Sequence, residues 1–340
     1  MKTNKLKILI VTGIYPPRIG GPAQYAKETR EEFVRMGNSV KVLTFRTERY
    51  LPTGLRHFWF FIKVLFNLNN ADFILALDTF SVGFPAVLAG KIFRNKVIIR
   101  TGGDFLWEGY VERTGDLVLF RNFYKTRVDK LNLKEKIIFK LTRWILRNSS
   151  AVIFSTKWQK GIFMPAYDLY TEKCHIVENF YGEKLPSFPS PKKDFVAAAR
   201  PLKWKNADKL KAAFEKAKVV DPDIELDLKG APYEEFLKKI QNCYAVVVAS
   251  IGDISPNMIL DAIRCNKPFI LTKENGITER VRDFALFIDP ENIDDIAEKL
   301  LYLTGEKNYE NLKAKIQAFN FGHSWKEICH EILDIYQKIK

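Results

Sequence analysis

Residues 245–262 read AVVVASIGDISPNMILDA. The opening five residues are an uninterrupted apolar run and read as a buried strand. Ser255 followed by Pro256 is a helix-start signal, with serine as N-cap and proline at the first helical position. Asp253 lies on the loop between strand and helix, and Asp261 follows on the helix with seven residues between the two acids. Backbone N–H groups at such a helix start, with the helix dipole, favour an anion such as phosphate. Asp261 is placed to accept hydrogen bonds from a sugar's paired hydroxyls. The spacing alone leaves a second reading open, in which one acid favours the helix dipole and the other is solvated.

Strands and helices alternate along the whole chain. Strand patterns fall at 6–13, 39–45, 71–77, 96–101 and 151–156, with helical patterns at 23–37, 84–93 and 135–149. Alternation of this kind predicts a parallel sheet with helices on both faces. The stretch GEKLPSFPSPKKD (182–194) has linker composition. Alternation then restarts, with strands expected at 194–199, 224–230, 245–250, 268–273 and 285–289. The expected fold is α/β, with two doubly wound, Rossmann-like parallel-sheet domains facing a cleft. Ligands of such sheets bind at the carboxyl ends of the strands.

Composition excludes several classes. A length of 340 residues with 47% hydrophobic and 28% charged residues is that of a two-domain globular protein. Cys174, Cys243, Cys265 and Cys329 show no paired spacing, which fits neither a disulfide framework nor a zinc site and suits a reducing cytosol. The N-terminal apolar run reads as a first strand and not as a signal peptide. Residues 1–190 carry 30 Lys and Arg against 16 Asp and Glu, and residues 191–340 carry 24 against 24. The whole excess of +14 therefore lies in the first half. Such a field attracts phosphate groups, nucleic acid or an anionic membrane surface.

Two further stretches bear on the cleft. ARPLKWKNADKL (199–210) sets Arg200 and Lys205 after the first strand of the second half. Two fixed cations are what a departing diphosphate needs, because they stabilise charge that grows as the bond breaks. YPPRIGGPAQYA (15–26) follows the first strand, and Gly20 and Gly21 let backbone approach a ligand at a helix start. It is not the G-x-G-x-x-G fingerprint, which disfavours a dinucleotide-dependent dehydrogenase. The triplet Asp221-Pro222-Asp223 reads as a turn, so no metal site is expected.

Taken together, the YPP…GG loop, Arg200–x4–Lys205, IELDLKG, the acid pair after AVVVAS and KENGITERV (273–281) resemble glycosyltransferase family 4. That family comprises retaining nucleotide-sugar enzymes of the GT-B fold. Its pattern of two glutamates with seven residues between them is met here by Asp253 and Asp261, with Ile-Ser-Pro in place of its Gly-Phe-Gly loop. The resemblance implies an acceptor-side domain over 1–185, a nucleotide-sugar-binding domain over 186–322 and a C-terminal helix over 323–340 packing back toward the first domain. It implies that Asp253 holds donor-sugar hydroxyls beside the N–H groups of Ile254 and Ser255, and that Asp261 holds the ribose. Arg200 and Lys205 would grip the diphosphate, with Gly20 and Gly21 closing over it. Glu279 matches a position near the donor, and a surface-loop acid is an equal reading. Asp104 in RTGGDFLWEG (100–109) stands where relatives carry histidine or His-Asp; it either serves the acceptor hydroxyl or caps a turn.

The expected activity is therefore retaining, metal-independent transfer of a hexosyl-type sugar from a nucleoside-diphosphate sugar to a hydroxyl, with no cofactor. Two alternatives stand beside it: a nucleotide-sugar epimerase of the same fold, and a non-catalytic glycan-binding or nucleotide-sugar-binding relic. The basic, aromatic stretches at 55–66 and 133–147 have two readings, as membrane-surface helices or as core helices with a solvated basic back. On the first, the contacts are Arg56, Lys63, Lys134, Lys136, Lys140 and Arg143, with Trp59 or Trp144 at the interface. The expected partners are a nucleotide sugar, a glycan or lipid-linked acceptor and an anionic membrane surface, and not nucleic acid. The expected location is cytoplasmic, peripheral to the inner face of the membrane.

Overall fold

The computed structural model describes residues 5–18, 20–45, 47–68, 71–197 and 200–340. Ile19 of the glycine loop, and Ala198 and Ala199 at the end of the strand expected over 194–199, lie outside the described residues. The chain begins with β1 (Lys7–Thr12), α1 (Gly21–Arg35), β2 (Ser39–Thr44), α2 (Thr53–Leu65), β3 (Phe73–Ala76), α3 (Gly83–Phe93) and β4 (Lys96–Arg100). Three helices follow, α4 (Phe105–Thr114), α5 (Phe120–Thr126) and α6 (Leu133–Asn148), then β5 (Ala151–Phe154), α7 (Lys157–Tyr167) and β6 (Cys174–Ile176). Next come β7 (Lys193–Ala197), α8 (Ala207–Lys218), β8 (Ile224–Asp227), α9 (Tyr233–Asn242), β9 (Ala245–Val248) and α10 (Asn257–Arg264). The last elements are β10 (Phe269–Thr272), α11 (Thr278–Val281), β11 (Leu286–Ile288), α12 (Ile293–Thr304), α13 (Glu306–Ala318) and α14 (Trp325–Ile339).

These elements form two compact units, each built from separate stretches of sequence. The first comprises Met1–Leu106, Lys130–Phe180 and His323–Lys340, and the second Trp107–Asp129 and Tyr181–Gly322. By sequence the first unit holds 28 Lys and Arg against 14 Asp and Glu, and the second 26 against 26. The entire net charge of +14 thus belongs to the first unit.

The first unit is a parallel sheet in the order β2-β1-β3-β4-β5-β6. Its strands alternate between two buried layers, as strands covered on both faces must. Ile8, Ile10, Phe73, Leu75 and Ile98 pack with Ile328 and Ile332 of α14, which lies beside α1. On the other face α3 runs between α2 and α6. Helix α6 starts on a reciprocal cap, in which Asn132 accepts the Glu135 N–H and Glu135 accepts the Asn132 N–H, each at 2.9 Å.

The second unit repeats the plan in the order β11-β10-β9-β7-β8. Val246 and Val248 face α9 and α10, whereas Ala245 and Val247 face α8 and α12. Both sheets are doubly wound, as the alternation in the sequence predicts. In each, the strand order reverses beside the first strand: between β1 and β3 in one, and between β7 and β9 in the other. Loops leaving the carboxyl ends of strands at such a reversal diverge and leave a crevice, the usual ligand position in open α/β sheets.

Candidate functional site

The two loops at the reversal of the second sheet carry Arg200 and Lys205, after β7, and Asp253, after β9. The structure brings Lys205 and Asp253 together: the ammonium donates to Asp253 Oδ2 at 2.7 Å, and both side chains are largely buried. Ser250 Oγ approaches the same oxygen at 3.5 Å. The Lys205 ammonium also sits over the Trp204 ring, 4.1 Å from its centre, and the Arg200 guanidinium lies 5.9 Å from that centre. Both cations therefore lie by one buried indole, whose Nε1 is buried with no hydrogen-bond partner among the described residues.

Backbone pairing fixes the Asp253 loop from its other side. Asp253 forms a single parallel bridge with Asn275, its N–H donating to Glu274 O at 2.8 Å and its carbonyl accepting the Gly276 N–H at 3.3 Å. Glu274 is buried and gripped by Arg121 through both carboxylate oxygens, at 2.6 Å each. Burial pushes the Glu274 carboxyl above its ordinary range, and Arg121 opposes the shift. Asn206 completes the frame: its amide donates to Ala249 O at 3.0 Å and to Pro290 O at 2.8 Å.

Arg121 comes from the first half of the sequence. The segment Trp107–Asp129 lies against these loops within the second unit. The Phe120 N–H donates to Ile251 O at 3.2 Å, and Trp107 packs its ring 5.8 Å from that of Trp204. At Gly252 there is no room for a side chain, since a Cβ would lie 2.6 Å from the Phe120 Cβ and 2.9 Å from the Trp107 ring.

Asp261 occupies a separate cluster on α10. Tyr233 Oη and Arg264 both donate to its Oδ1 at 3.1 Å. Burial raises the Asp261 carboxyl above its ordinary range, against the pull of Arg264 and the Tyr233 hydroxyl. The Tyr233 hydroxyl is itself pushed up to about 12, by burial and then by the Asp261 charge. Ile254 and Ser255 lie half-buried between Asp253 and the helix. The helix start differs from the sequence expectation. Helix α10 begins at Asn257 with Pro256 in the N-cap position and no side-chain cap, so Ser255 does not cap it. Glu279 is exposed on the four-residue α11, four positions beyond Asn275.

The remaining three expected residues belong to the first unit. Gly20, with φ 150°, precedes α1, and its carbonyl accepts the N–H groups of Ala23 and Gln24; Gly21 is the first helical residue. Asp104 is buried and accepts the Leu106 N–H at 2.9 Å, which is a turn cap at the start of α4. Asp221 accepts the Asp223 N–H at 3.2 Å and pairs with Lys193 at 2.6 Å, ahead of the amino end of β8. Among the described residues, no group of three or more His, Cys, Asp or Glu is arranged to hold a metal ion.

Sequence reasoning missed Trp204, Asn206, Tyr233, Arg121 and Glu274. A sequence signal existed for one of them: Trp204 stands between the two lysines Lys203 and Lys205, where an exposed cationic loop has no use for an indole.

No protein-family model matches the chain, and no curated protein sequence does. Solved structures do. The sucrose-phosphate synthase of Thermosynechococcus elongatus superposes with a TM-score of 0.71 at 12% identity, over 98% of this chain and 99% of that one. An α,α-trehalose-phosphate synthase (UDP-forming) from Burkholderia xenovorans gives 0.68 at 10% identity, over 97% and 100%. The lipopolysaccharide outer core galactosyltransferase WaaB gives 0.61 at 13%, over 98% and 99%. The likeness is one of fold: the chain has the GT-B architecture of two parallel-sheet α/β units.

Proposed function

We propose that the chain is a glycosyltransferase that moves a sugar from a nucleoside-diphosphate sugar to a hydroxyl acceptor. The observation that carries the proposal is the Lys205–Asp253 pair at the reversal of the second sheet, with Arg200 beside the same indole. The shared fold with a galactosyltransferase and two sugar-phosphate synthases supports glycosyl transfer as the class of reaction.

In this reading Arg200 and Lys205 stabilise the diphosphate as it leaves, and their charge is worth most when that bond breaks. Asp253 holds donor-sugar hydroxyls with the N–H groups of Ile254 and Ser255. Its ion pair with Lys205 keeps carboxylate and ammonium in one geometry before a donor arrives. Asp261 holds the ribose, oriented by Tyr233 and Arg264, and Glu279 lies near the donor. The parts of Gly20, Gly21 and Asp104 rest on the resemblance to glycosyltransferase family 4, to which we assign the chain.

That assignment brings retention without a metal or cofactor, and a hexosyl-type donor. The bond from the sugar's anomeric carbon to the diphosphate breaks, the acceptor oxygen bonds that carbon on the same face, and the acceptor proton passes to the leaving diphosphate. The charge of the first unit supports an acceptor at an anionic membrane surface, a lipid-linked or surface glycan on the cytoplasmic side. Among the described residues, no helix is long and apolar enough to cross a membrane.

A thermal-shift panel of nucleotide sugars tests the donor assignment. A true donor at 100 times its dissociation constant adds about 2.7 kcal/mol of stability. Free UDP or GDP should then appear only when an acceptor is present. Conversion of the donor sugar without an acceptor would favour an epimerase, binding without turnover a relic, and no shift with any nucleotide sugar would overturn the proposal.

A further inference from the structure

The charge of the first unit is concentrated on one layer of helices. Helix α3 packs between α2 and α6 on one face of the sheet, so the three present their outer sides together. They contain one acid, Glu135, which is buried and committed to the cap of α6. Lys91 and the α3 C-cap Arg94 are exposed, as are Lys134, Lys136, Lys140 and Arg143 of α6. Arg143 is shared with Asp168, the C-cap of α7.

The same layer exposes side chains that a helix facing water keeps inside. Leu55, Phe58, Trp59 and the C-cap Phe66 of α2 are 54%, 56%, 54% and 85% exposed. Their spacing of i, i+3, i+4 and i+11 confines them to an arc of about 100° and a stripe about 16 Å long. His57, Phe60 and Val64 fill the opposite side of the helix and are buried. The two cations of α2, expected as membrane contacts, turn away from the stripe. Lys63 pairs with Glu48 at 2.9 Å and donates to Thr44 O, and Arg56 stacks 5.4 Å from the centre of Phe45. Phe58, Trp59 and Phe66 thus face out while both cations turn back onto the unit, which is not the pattern of a core helix with a solvated basic back. Leu133 and Ile137, beside the lysines of α6, and Ile92 and Phe93 at the end of α3 are exposed as well. Exposed patches of this kind mark an interaction surface.

We propose that the outer side of α2, α3 and α6 docks on an anionic lipid bilayer. Helix α2 lies in the interface with Phe58, Trp59 and Phe66 at the acyl boundary, and the cations of α3 and α6 meet the head groups. This rests on the reading of a membrane as partner and gives it a surface. A bilayer supplies both an apolar phase and negative charge at the depth each is needed. A second copy supplies the first only, because a two-fold pair sets each basic surface against itself.

The test is co-sedimentation of the full chain with phosphatidylcholine vesicles, with and without phosphatidylglycerol, at low salt. The wild type should pellet with the anionic vesicles alone. A Phe58→Ser/Trp59→Ser/Phe66→Ser variant should lose at least ~10-fold in partitioning. Bromine-labelled lipid should quench wild-type tryptophan fluorescence, and Trp59→Phe, which keeps the fold whatever becomes of the triple variant, should remove that quenching. A triple variant that pellets like the wild type, or quenching unchanged in Trp59→Phe, would leave a membrane partner but overturn this surface. No pelleting of the wild type would overturn both. Halving of the sedimenting mass in the triple variant would assign the stripe to a second copy. Donor binding, measured separately by thermal shift, should be the same in all variants, and its absence would undo the transferase reading without touching this one.

Discussion

The Lys205 ammonium lies 2.7 Å from the Asp253 carboxylate, and the two residues come from loops on opposite sides of the strand-order reversal in the second sheet. A lysine so placed can meet an incoming phosphate without first being gathered from solvent. Lys205→Ala should lower turnover by roughly a hundredfold or more, with a smaller effect on donor affinity, because its charge counts most as the diphosphate departs. Arg200→Ala should behave alike. Release of nucleoside diphosphate in a working transfer assay checks both, and near-normal turnover in either variant would remove that residue from the leaving-group site.

Asp261 and Asp253 should separate by ligand. Asp261→Ala should weaken free UDP or GDP as well as the full donor, whereas Asp253→Ala should spare the free nucleotide and weaken the sugar-bearing donor. Calorimetry with both ligands distinguishes them, and equal losses in both variants would refute the division of roles.

Acidification gives an independent view of Asp261. Its carboxyl is raised by burial, so it takes up a proton at a higher pH than an ordinary aspartate. Nucleotide affinity should accordingly begin to fall above the usual carboxylate range, and Asp261→Asn should abolish that dependence. For stability the sign is opposite to that of a salt-bridged acid. The folded state holds this proton more tightly than the unfolded one, so the contribution is complete below the unfolded value and lost as pH rises through the folded one. Urea unfolding of Asp261→Asn and wild type across this range should show the wild type losing ground as pH increases.

Gly252→Ala should destabilise the second unit by about 1–3 kcal/mol, the usual cost of forcing a methyl group into a packed site. Phe120 and Trp107 leave that methyl nowhere to go, and the next residue is Asp253. Donor affinity should therefore fall together with the denaturation midpoint. A variant of full stability and full affinity would mean that the 107–129 segment does not hold the loop.

Activity should persist in excess EDTA if, as proposed, Arg200 and Lys205 supply the positive charge that a divalent ion would otherwise bring to the diphosphate. Loss of activity on chelation, restored by magnesium or manganese, would refute metal independence.

Much of the fold was legible because parallel strands buried on both faces must be apolar throughout, as in β5 and β9, and their spacing by helical patterns leaves few topologies. The acid spacing of Asp253 and Asp261 was equally visible, being local. What the sequence withheld is non-local. Arg121 and Glu274 meet across 153 residues, and Lys203 and Glu112 across 91, with no pattern in either stretch to announce it. Helix α2 was ambiguous for a different reason. Its run HFWFF is aromatic on every side, so periodicity does not say which rings face the core; the burial of Phe60 against the exposure of Phe58 and Trp59 decides it.

Neither unit is a continuous stretch of chain, and this governs how the protein is made. On the ribosome the sheet from β1 to β6 is synthesised first, yet Ile328, Ile332 and Tyr336 of its core lie on α14. At ordinary elongation rates those residues follow β6 by on the order of ten seconds. Throughout that interval the nascent first unit carries an open apolar face, while the second can close as soon as residue 322 emerges. Completion therefore runs against the direction of synthesis. A nascent chain stalled before α14 should expose the unfinished sheet to chaperones, and separately expressed halves cut at the 182–194 stretch should be insoluble apart and recover only when produced together.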